Sequence, residues 1–312
     1  MIALGVAWML AAGLVPAPQA LPNARSLHRH PVPRIGGISI WAGWLLAWLA
    51  APVSWTWIAP LGLVIAVSLA DDFRALPAAA RLLVHALAAI GAAASSQDGG
   101  WWLVAFDALV IVWMANLYNF MDGADGLAGF MGVSGFGAYA LAALLAGQAG
   151  PGVLWAALAV ACAGFLAFNR PPARLFMGDV GAVGLGFLAG VFGLQGLVAG
   201  IWPWWFPPLV FAPFILDATV TLLRRLRRRD RLAHAHRDHF YQHAILIDGA
   251  HGRTVRIYAL WMVGCAALAL AGLRWAPESG AALLVAAAVG FGWHCRLIER
   301  RWVTWNATHH AG

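Results

Sequence analysis

Long apolar runs separated by short polar loops dominate this chain. Runs of about 17 to 25 residues, enough for a helix to cross a bilayer, fall at roughly 1–18, 36–53, 56–70, 81–97, 101–118, 127–147, 152–168, 181–199, 204–223, 255–273 and 280–297. The pattern predicts an all-α, polytopic membrane protein of about eleven transmembrane helices. The intervening loops alternate in character. One set holds Arg25, Arg29 and Arg34; Asp71, Asp72 and Arg74; Asn119 to Gly126; Arg170 to Asp179; Arg224 to Arg253; and the tail from Arg296. The other set is short and nearly uncharged, as in Ala51 to Trp55, Gln97 to Gly100 and Gly147 to Gly152.

Composition sharpens that picture. Hydrophobic residues make up 62% of the 312 residues and charged residues 11%, against about 25% charge in soluble domains. Disorder, collagen, coiled coil and disulfide scaffolds are excluded. All twenty basic residues are arginine, and nineteen of them fall in the first loop set or at its membrane edge, Arg274 being the exception. The positive-inside rule therefore puts that set in the cytoplasm, with the N-terminus outside and the C-terminus inside. The net charge of +7 is then topological, and no nucleic-acid partner is expected. Cys162, Cys265 and Cys295 lie in or beside apolar stretches without metal-like spacing and read as packing residues. Residues 1–18 lack a basic leader and are expected to form a first span rather than a cleaved signal peptide.

Most acids share the arginine side, although acids do little to set topology. The stretch from Arg25 to Gly37 combines arginines, two prolines that hold it extended and two glycines; its guanidinium groups suit phosphate oxygens, and a purely topogenic loop is the alternative. Asp71 and Asp72 are paired carboxylates where a helix leaves the membrane, calling for a divalent metal or a transferable proton unless Arg74 and Arg81 neutralise them. Asn116, Asn119, Asp122 and Asp125 recur every third position, one gradually rotating helical face, and two Asp-Gly pairs are expected to break that helix. Asp179 precedes an apolar helix, with Gly178 and Gly181 flanking the Asp-Val pair, where it can ligate a hard cation. Arg224 to Arg229 read as topogenic charge; His236, Arg237 and His239 do not, because topology has no use for histidine. Five acids, phosphate-type donors and histidines on one face suggest metal-assisted chemistry on an anionic phosphate substrate. The Gly-x-x-x-x-Gly-Lys-Ser/Thr phosphate loop is missing from the sequence.

In order and topology these motifs, from about Pro22 to Gln242, resemble the polyprenyl-phosphate N-acetylhexosamine-1-phosphate transferases. That superfamily includes the enzymes that start O-antigen synthesis and the phospho-muramoyl-pentapeptide transferase of peptidoglycan synthesis. The resemblance implies that Asp71 and Asp72 match a catalytic Asp-Asp pair, one member of which deprotonates the lipid phosphate. It makes Asp179 the magnesium ligand, with manganese a possible substitute. Asn119, Asp122 and Asp125 match a motif shaping the nucleotide site, and Phe176 an aromatic that stacks on uracil. Arg29, Arg34, His236, Arg237 and His239 match phosphate- and sugar-binding positions. Val32 stands where many relatives have threonine. The separated His236 and His239 fit the O-antigen-initiating branch better than the consecutive histidines of the peptidoglycan enzyme.

The implied reaction moves an N-acetylhexosamine-1-phosphate from a UDP-sugar to undecaprenyl phosphate and releases UMP, with attack of the lipid phosphate on the β-phosphorus. A proton-accepting aspartate is a weak requirement, since a phosphate monoester is largely ionised above its second pKa of about 6. One-step and phospho-enzyme routes both stay open. The whole chain, 1–312, reads as a single domain with active-site loops near 19–35, 71–81, 119–126, 169–180 and 224–254, in a bacterial inner membrane. Its expected partners are undecaprenyl phosphate, a UDP-N-acetylhexosamine, the lipid bilayer and, as an open alternative to a monomer, a second copy in a homodimer. The competing class is a transporter or cation channel with Asp107 and Asp217 on an ion path. A transporter should place polar groups near the midplane, often between inverted repeats. Asp217 is otherwise expected at the floor of the site, and Asp107 as a paired structural acid.

Overall fold

A computed structural model describes residues 1–21, 30–50, 56–95, 100–230 and 236–309. It begins with α1 (Ile2–Ala11), followed by two two-residue strands, β1 (Gln19–Ala20) and β2 (Val32–Pro33), paired antiparallel. Then come α2 (Gly37–Ala50), α3 (Ile58–Phe73), α4 (Ala78–Ala94), α5 (Trp101–Phe120), α6 (Leu127–Leu145), α7 (Ala149–Asn169) and α8 (Asp179–Val198). The chain closes with α9 (Phe206–Val210), α10 (Ala212–Arg227), α11 (Phe240–Asp248), α12 (His251–Trp275) and α13 (Gly280–His309). This is an all-α membrane protein. Among the described residues α5, α6, α7, α8, α12 and the segment containing α13 are long and apolar enough to cross a bilayer; α1, α2 and α4 are shorter apolar helices.

Each of the eleven apolar stretches contains a helix, but eleven full crossings do not follow. The expected span 1–18 is helical only from Ile2 to Ala11, about 15 Å at 1.5 Å per residue, half a hydrocarbon core. Gly13, in the left-handed region at φ 71°, Pro16 and Pro18 end it. The stretch 204–223 is divided into α9 and α10, each with proline in its first turn.

Helix α8 is the central post, buried along most of its length and packed against α2, α3, α5 and α6. Its glycines make that possible: a Cβ on Gly186 would lie 2.4 Å from the Met114 carbonyl oxygen of α5. Away from the polar loops an aromatic cluster fills the interior, with Trp202 stacked on both Tyr139 (4.7 Å between rings) and Phe206 (5.0 Å). Exposed Trp101, Trp102, Trp204 and Trp275 lie at this end of the bundle, the amphipathic ring type that settles at membrane–water interfaces. All three cysteines are buried and free, as expected of packing residues.

Candidate active site

The loops at the opposite end are stitched together by backbone and side-chain hydrogen bonds. The Pro33–Gly37 segment pairs with residues 176–177: the Phe176 amide donates to Pro33, and the Gly36 and Gly37 amides donate to the carbonyls of Phe176 and Met177. This lays Arg34 against the end of α3, where its Nε and Nη2 donate to Asp72 Oδ1 at 3.2 and 2.8 Å. Asp72 also receives the amides of Asp179 (3.1 Å) and Val180 (3.0 Å), so it caps α8 from another helix. Gly178 is needed for that contact. It has φ 72°, and a Cβ there would come 2.8 Å from Asp72 Oδ2 and collide with the Arg34 carbonyl.

Asp71 points the other way. Its Oδ1 accepts the Leu76 amide at 2.6 Å, and its Oδ2 accepts Arg81 Nη1 at 2.6 Å. The same Arg81 nitrogen lies 2.9 Å from Asp179 Oδ2. One guanidinium thus joins two of the acids singled out in the sequence, while its buried Nε has no acceptor among the described residues. Arg74, the other candidate neutraliser, forms no ion pair with either acid among the described residues.

Helix α5 ends at Phe120, so Asn116 and Asn119 lie on its last turns and Asp122 and Asp125 in the loop that follows, as the Asp-Gly pairs predict. The two acids differ. Asp125 Oδ2 accepts the Ala173 amide at 3.0 Å and its Oδ1 sits 3.0 Å from His251 Nδ1, bracing its loop against two others. Among the described residues no hydrogen-bond donor meets the Asp122 carboxylate. Burial and the nearby charges of Asp179, Asp72 and Asp125 push its carboxyl well above the ordinary range.

The histidine segment closes the same end. His236 and His239 are stacked, 5.1 Å apart and 28° from parallel. The half-buried Arg237 lies between them in sequence, and half-buried Phe176 sits in the paired segment beside Arg34. Burial, with the charges of His239 and Arg225, lowers the His236 imidazole to about 4. Tyr241 reaches across to donate to the Phe120 carbonyl at 3.0 Å, a contact that leaves no room for a side chain at Gly123. Arg225 is buried and donates to Asp238 Oδ2 at 2.6 Å. Burial raises the Asp238 carboxyl, but the Arg225 hydrogen bond and neighbouring cations outweigh it and hold the group below its ordinary value. Arg224 pairs with Glu299 of α13. Within the run Arg224 to Arg229, read from the sequence as topogenic charge, Arg224 and Arg225 also fasten α10 to its neighbours.

Arg29 lies outside the described residues. The structure brings Asp71, Asp72, Asp179, Asp122 and Arg34 around Arg81 and the start of α8. Asp125 braces the edge, and His236, Arg237 and His239 stand on the neighbouring segment. Sequence reasoning did not assign Arg81, Asn169 or His251 to the site. Asn169 receives the Gly126 amide (2.9 Å) and donates to the Leu175 carbonyl (2.9 Å), joining two loops. Asp217 does not line an ion path, since its carboxylate is enclosed by Thr221, Tyr258 and the start of α11.

Among the described residues no three His, Cys, Asp or Glu side chains are preassembled around a metal position. The charge balance nevertheless suits a hard cation. Asp71, Asp72, Asp122 and Asp179 face two guanidinium groups, and Asp122 is left without a counter-charge.

The glycosyl transferase family 4 model matches residues 54–197, the portion holding the five acids, Arg81 and Phe176. The chain is similar to the probable undecaprenyl-phosphate N-acetylglucosaminyl 1-phosphate transferase of Bacillus subtilis, 25% identical over 78% of this chain and 73% of that protein. It is also similar to the decaprenyl-phosphate N-acetylglucosaminephosphotransferase of Mycolicibacterium smegmatis, 26% identical over 78% of this chain and 72% of the relative. A shorter match, 51% identical over 29% of this chain and 28% of the relative, is to the phospho-N-acetylmuramoyl-pentapeptide-transferase of Pelotomaculum thermopropionicum. Over that matched portion, whose acids gather at one end of a bundle of apolar helices, the chain is similar to the glycosyl transferase family 4 proteins.

Proposed function

We propose that the protein is a polyprenyl-phosphate N-acetylhexosamine-1-phosphate transferase that uses a UDP-sugar, forms the lipid-diphosphate-linked sugar that begins a cell-surface polysaccharide of the O-antigen type, and releases UMP. The observation that carries the reading is Arg81 held between Asp71 and Asp179 at the end of an apolar helix bundle. It sets cationic donors and carboxylates where a lipid phosphate and a nucleotide diphosphate can meet at the membrane surface. The unsatisfied Nε of Arg81 is a donor in wait of an anion.

In this mechanism the residues chiefly position and neutralise. Arg34 and Arg81 draw in phosphate oxygens. Asp72 is fully enclosed, with Arg34 and the first amides of α8 on its oxygens, so it holds Asp179 in place; Asp71, which has a single donor on each oxygen and shares Arg81 with Asp179, is the better placed of the pair to receive a proton. Asp179 and Asp122 would hold magnesium, or manganese, which when bound supplies charge neutralisation to the diphosphate. Phe176 offers a ring for the uracil, and Asn119 lies one turn from Asp122 to help frame the nucleotide.

An apolar groove of about 470 Å³ between α2 and α3, lined by Trp41, Trp48, Leu61 and Gly62, ends at Val180, next to Asp179. It would lead a prenyl chain to the acids. The arginine asymmetry supports a cytoplasmic active site in a bacterial inner membrane, N-terminus out and C-terminus in. The separated histidines favour this reading over the muramoyl-pentapeptide transferase. The test is UMP release by membranes given undecaprenyl phosphate and a panel of UDP-N-acetylhexosamines, with and without magnesium. Release from none of them refutes the reading.

A further inference from the structure

Asp217 sits fully buried in α10, where an uncompensated carboxylate is costly. Four donors surround it: the amides of Phe240 (3.2 Å) and Tyr241 (3.2 Å) and the hydroxyls of Thr221 (3.4 Å) and Tyr258 (2.5 Å). The fifth contact is His239 Nδ1, 3.1 Å from Oδ1. Two amides from the first turn of α11 show that Asp217 caps that helix from below. The imidazole contact has a second consequence. A carboxylate already accepting four hydrogen bonds has no donor of its own, so the proton between Oδ1 and Nδ1 belongs to the imidazole. The Gln242 backbone amide also donates to this side chain as half of a capping box, so a donor and a carboxylate compete for the ring, and the charged Asp217 contact is the one that draws the ring proton toward Oδ1. Nε2 is then left with a lone pair, and no described residue hydrogen-bonds it.

The stacked neighbour has the opposite arrangement. His236 Nδ1 accepts the Asp238 amide at 3.3 Å, which places its single ring proton on Nε2. Two parallel imidazoles thus offer one donor and one acceptor, a match for a sugar hydroxyl, which both donates and accepts.

We propose that Asp217 is the positioning residue that fixes the tautomer of His239, so that His239 meets the sugar-phosphate as a hydrogen-bond acceptor beside His236 as a donor. The consequence for turnover rests on the transferase reading above; the tautomer itself does not.

The experiment uses the full-length protein, labelled with ¹⁵N-histidine in nanodiscs, with the His239→Gln difference spectrum identifying the ring. In the unsubstituted protein His239 is expected to carry its proton on Nδ1; a proton on Nε2 overturns the proposal without any further variant. In Asp217→Asn, whose amide nitrogen can donate to Nδ1, the proton is expected on Nε2 and kcat should fall by about 10²- to 10⁴-fold. A swapped tautomer with kcat within twofold of the unsubstituted protein breaks the link to catalysis. Tyr258→Phe removes another donor to the same carboxylate without touching the imidazole. It should lower thermal stability, keep Nδ1 protonated and cost less than tenfold in kcat. An equal loss of kcat in both variants would reduce Asp217 to a structural cap. If no UDP-sugar supports UMP release, the transferase reading fails, while the ring-nitrogen spectra still decide the role of Asp217.

Discussion

The Asp72 carboxylate accepts the backbone amide of Asp179 at 3.1 Å, so one acid of the site is held in place by another 107 residues away. The two side chains therefore divide the work. Asp72 is fully enclosed and serves geometry, whereas Asp179 keeps its carboxylate toward Arg81.

That division predicts different phenotypes for the same chemical change. Asp72→Asn should cost about 1–3 kcal/mol of stability, through the lost ion pair and weakened cap, and should lose activity as α8 loosens. Asp179→Asn should unfold within a few degrees of the unsubstituted protein yet fall at least 100-fold in turnover. Thermal unfolding in detergent alongside UMP release checks both. Equal stability loss in the two variants would contradict the division.

Arg81 occupies the space between Asp71 and Asp179 that a cation must share. In Arg81→Ala the two carboxylates lose their common counter-charge, so the metal-free protein should melt lower and gain more from added magnesium than the unsubstituted protein does. Turnover at saturating magnesium should still fall at least tenfold, because the donor to the substrate phosphate is gone. Melting curves across a magnesium series measure the first effect. An unchanged magnesium response would separate Arg81 from the metal position.

Asp122 allows a pH test with a definite sign. Its carboxyl is raised above the ordinary value near 4, so folding favours its protonated form. The stability this contributes is complete below the unfolded value and disappears as pH rises through the folded one. Asp122→Asn removes the charge in nearly the same shape. Without metal it should melt higher than the unsubstituted protein at pH 7 to 8, and the difference should shrink as pH falls toward 4. Turnover should drop sharply, since an acid retained at a cost to stability is retained for binding. A variant less stable at pH 8 would refute this.

The acids of the site could be read along the chain because each stands at the end of an apolar run, where a charge is conspicuous. Their partners could not. Arg81 looked like one of two neutralisers of Asp71 and Asp72, and nothing local links it to Asp179 98 residues later. Asn169 joins Gly126 and Leu175, and His251 meets Asp125, through packing of helices that no single loop encodes. Arg225 read as topology because a positive charge near a membrane has that use by default; its burial against Asp238 appears only when α10 and α11 are set side by side. The break between α9 and α10 was not legible in hydropathy, since 204–223 reads as one apolar run although Pro207, Pro208 and Pro213 interrupt it. Hydropathy alone overextended the first span, because it does not register that Pro16 and Pro18 stop a helix.

The lipid acceptor has its own test in Gly62, on the wall of the groove between α2 and α3. A Cβ there meets nothing within 4 Å, so a larger side chain can enter the groove without displacing the protein. Gly62→Leu should fold normally, since an exposed helical glycine gains about 1 kcal/mol from a better helix former. If the prenyl chain lies in this groove, the KM for undecaprenyl phosphate should rise about tenfold, equivalent to about 1.4 kcal/mol of lost binding. The KM for the nucleotide sugar should stay within twofold, because that substrate approaches from the loop side. A short-chain prenyl phosphate that does not reach Gly62 should be used equally by both proteins. Parallel rises for long and short acceptors would place the obstruction at the phosphate, and no rise for either would leave the groove to ordinary bilayer lipid.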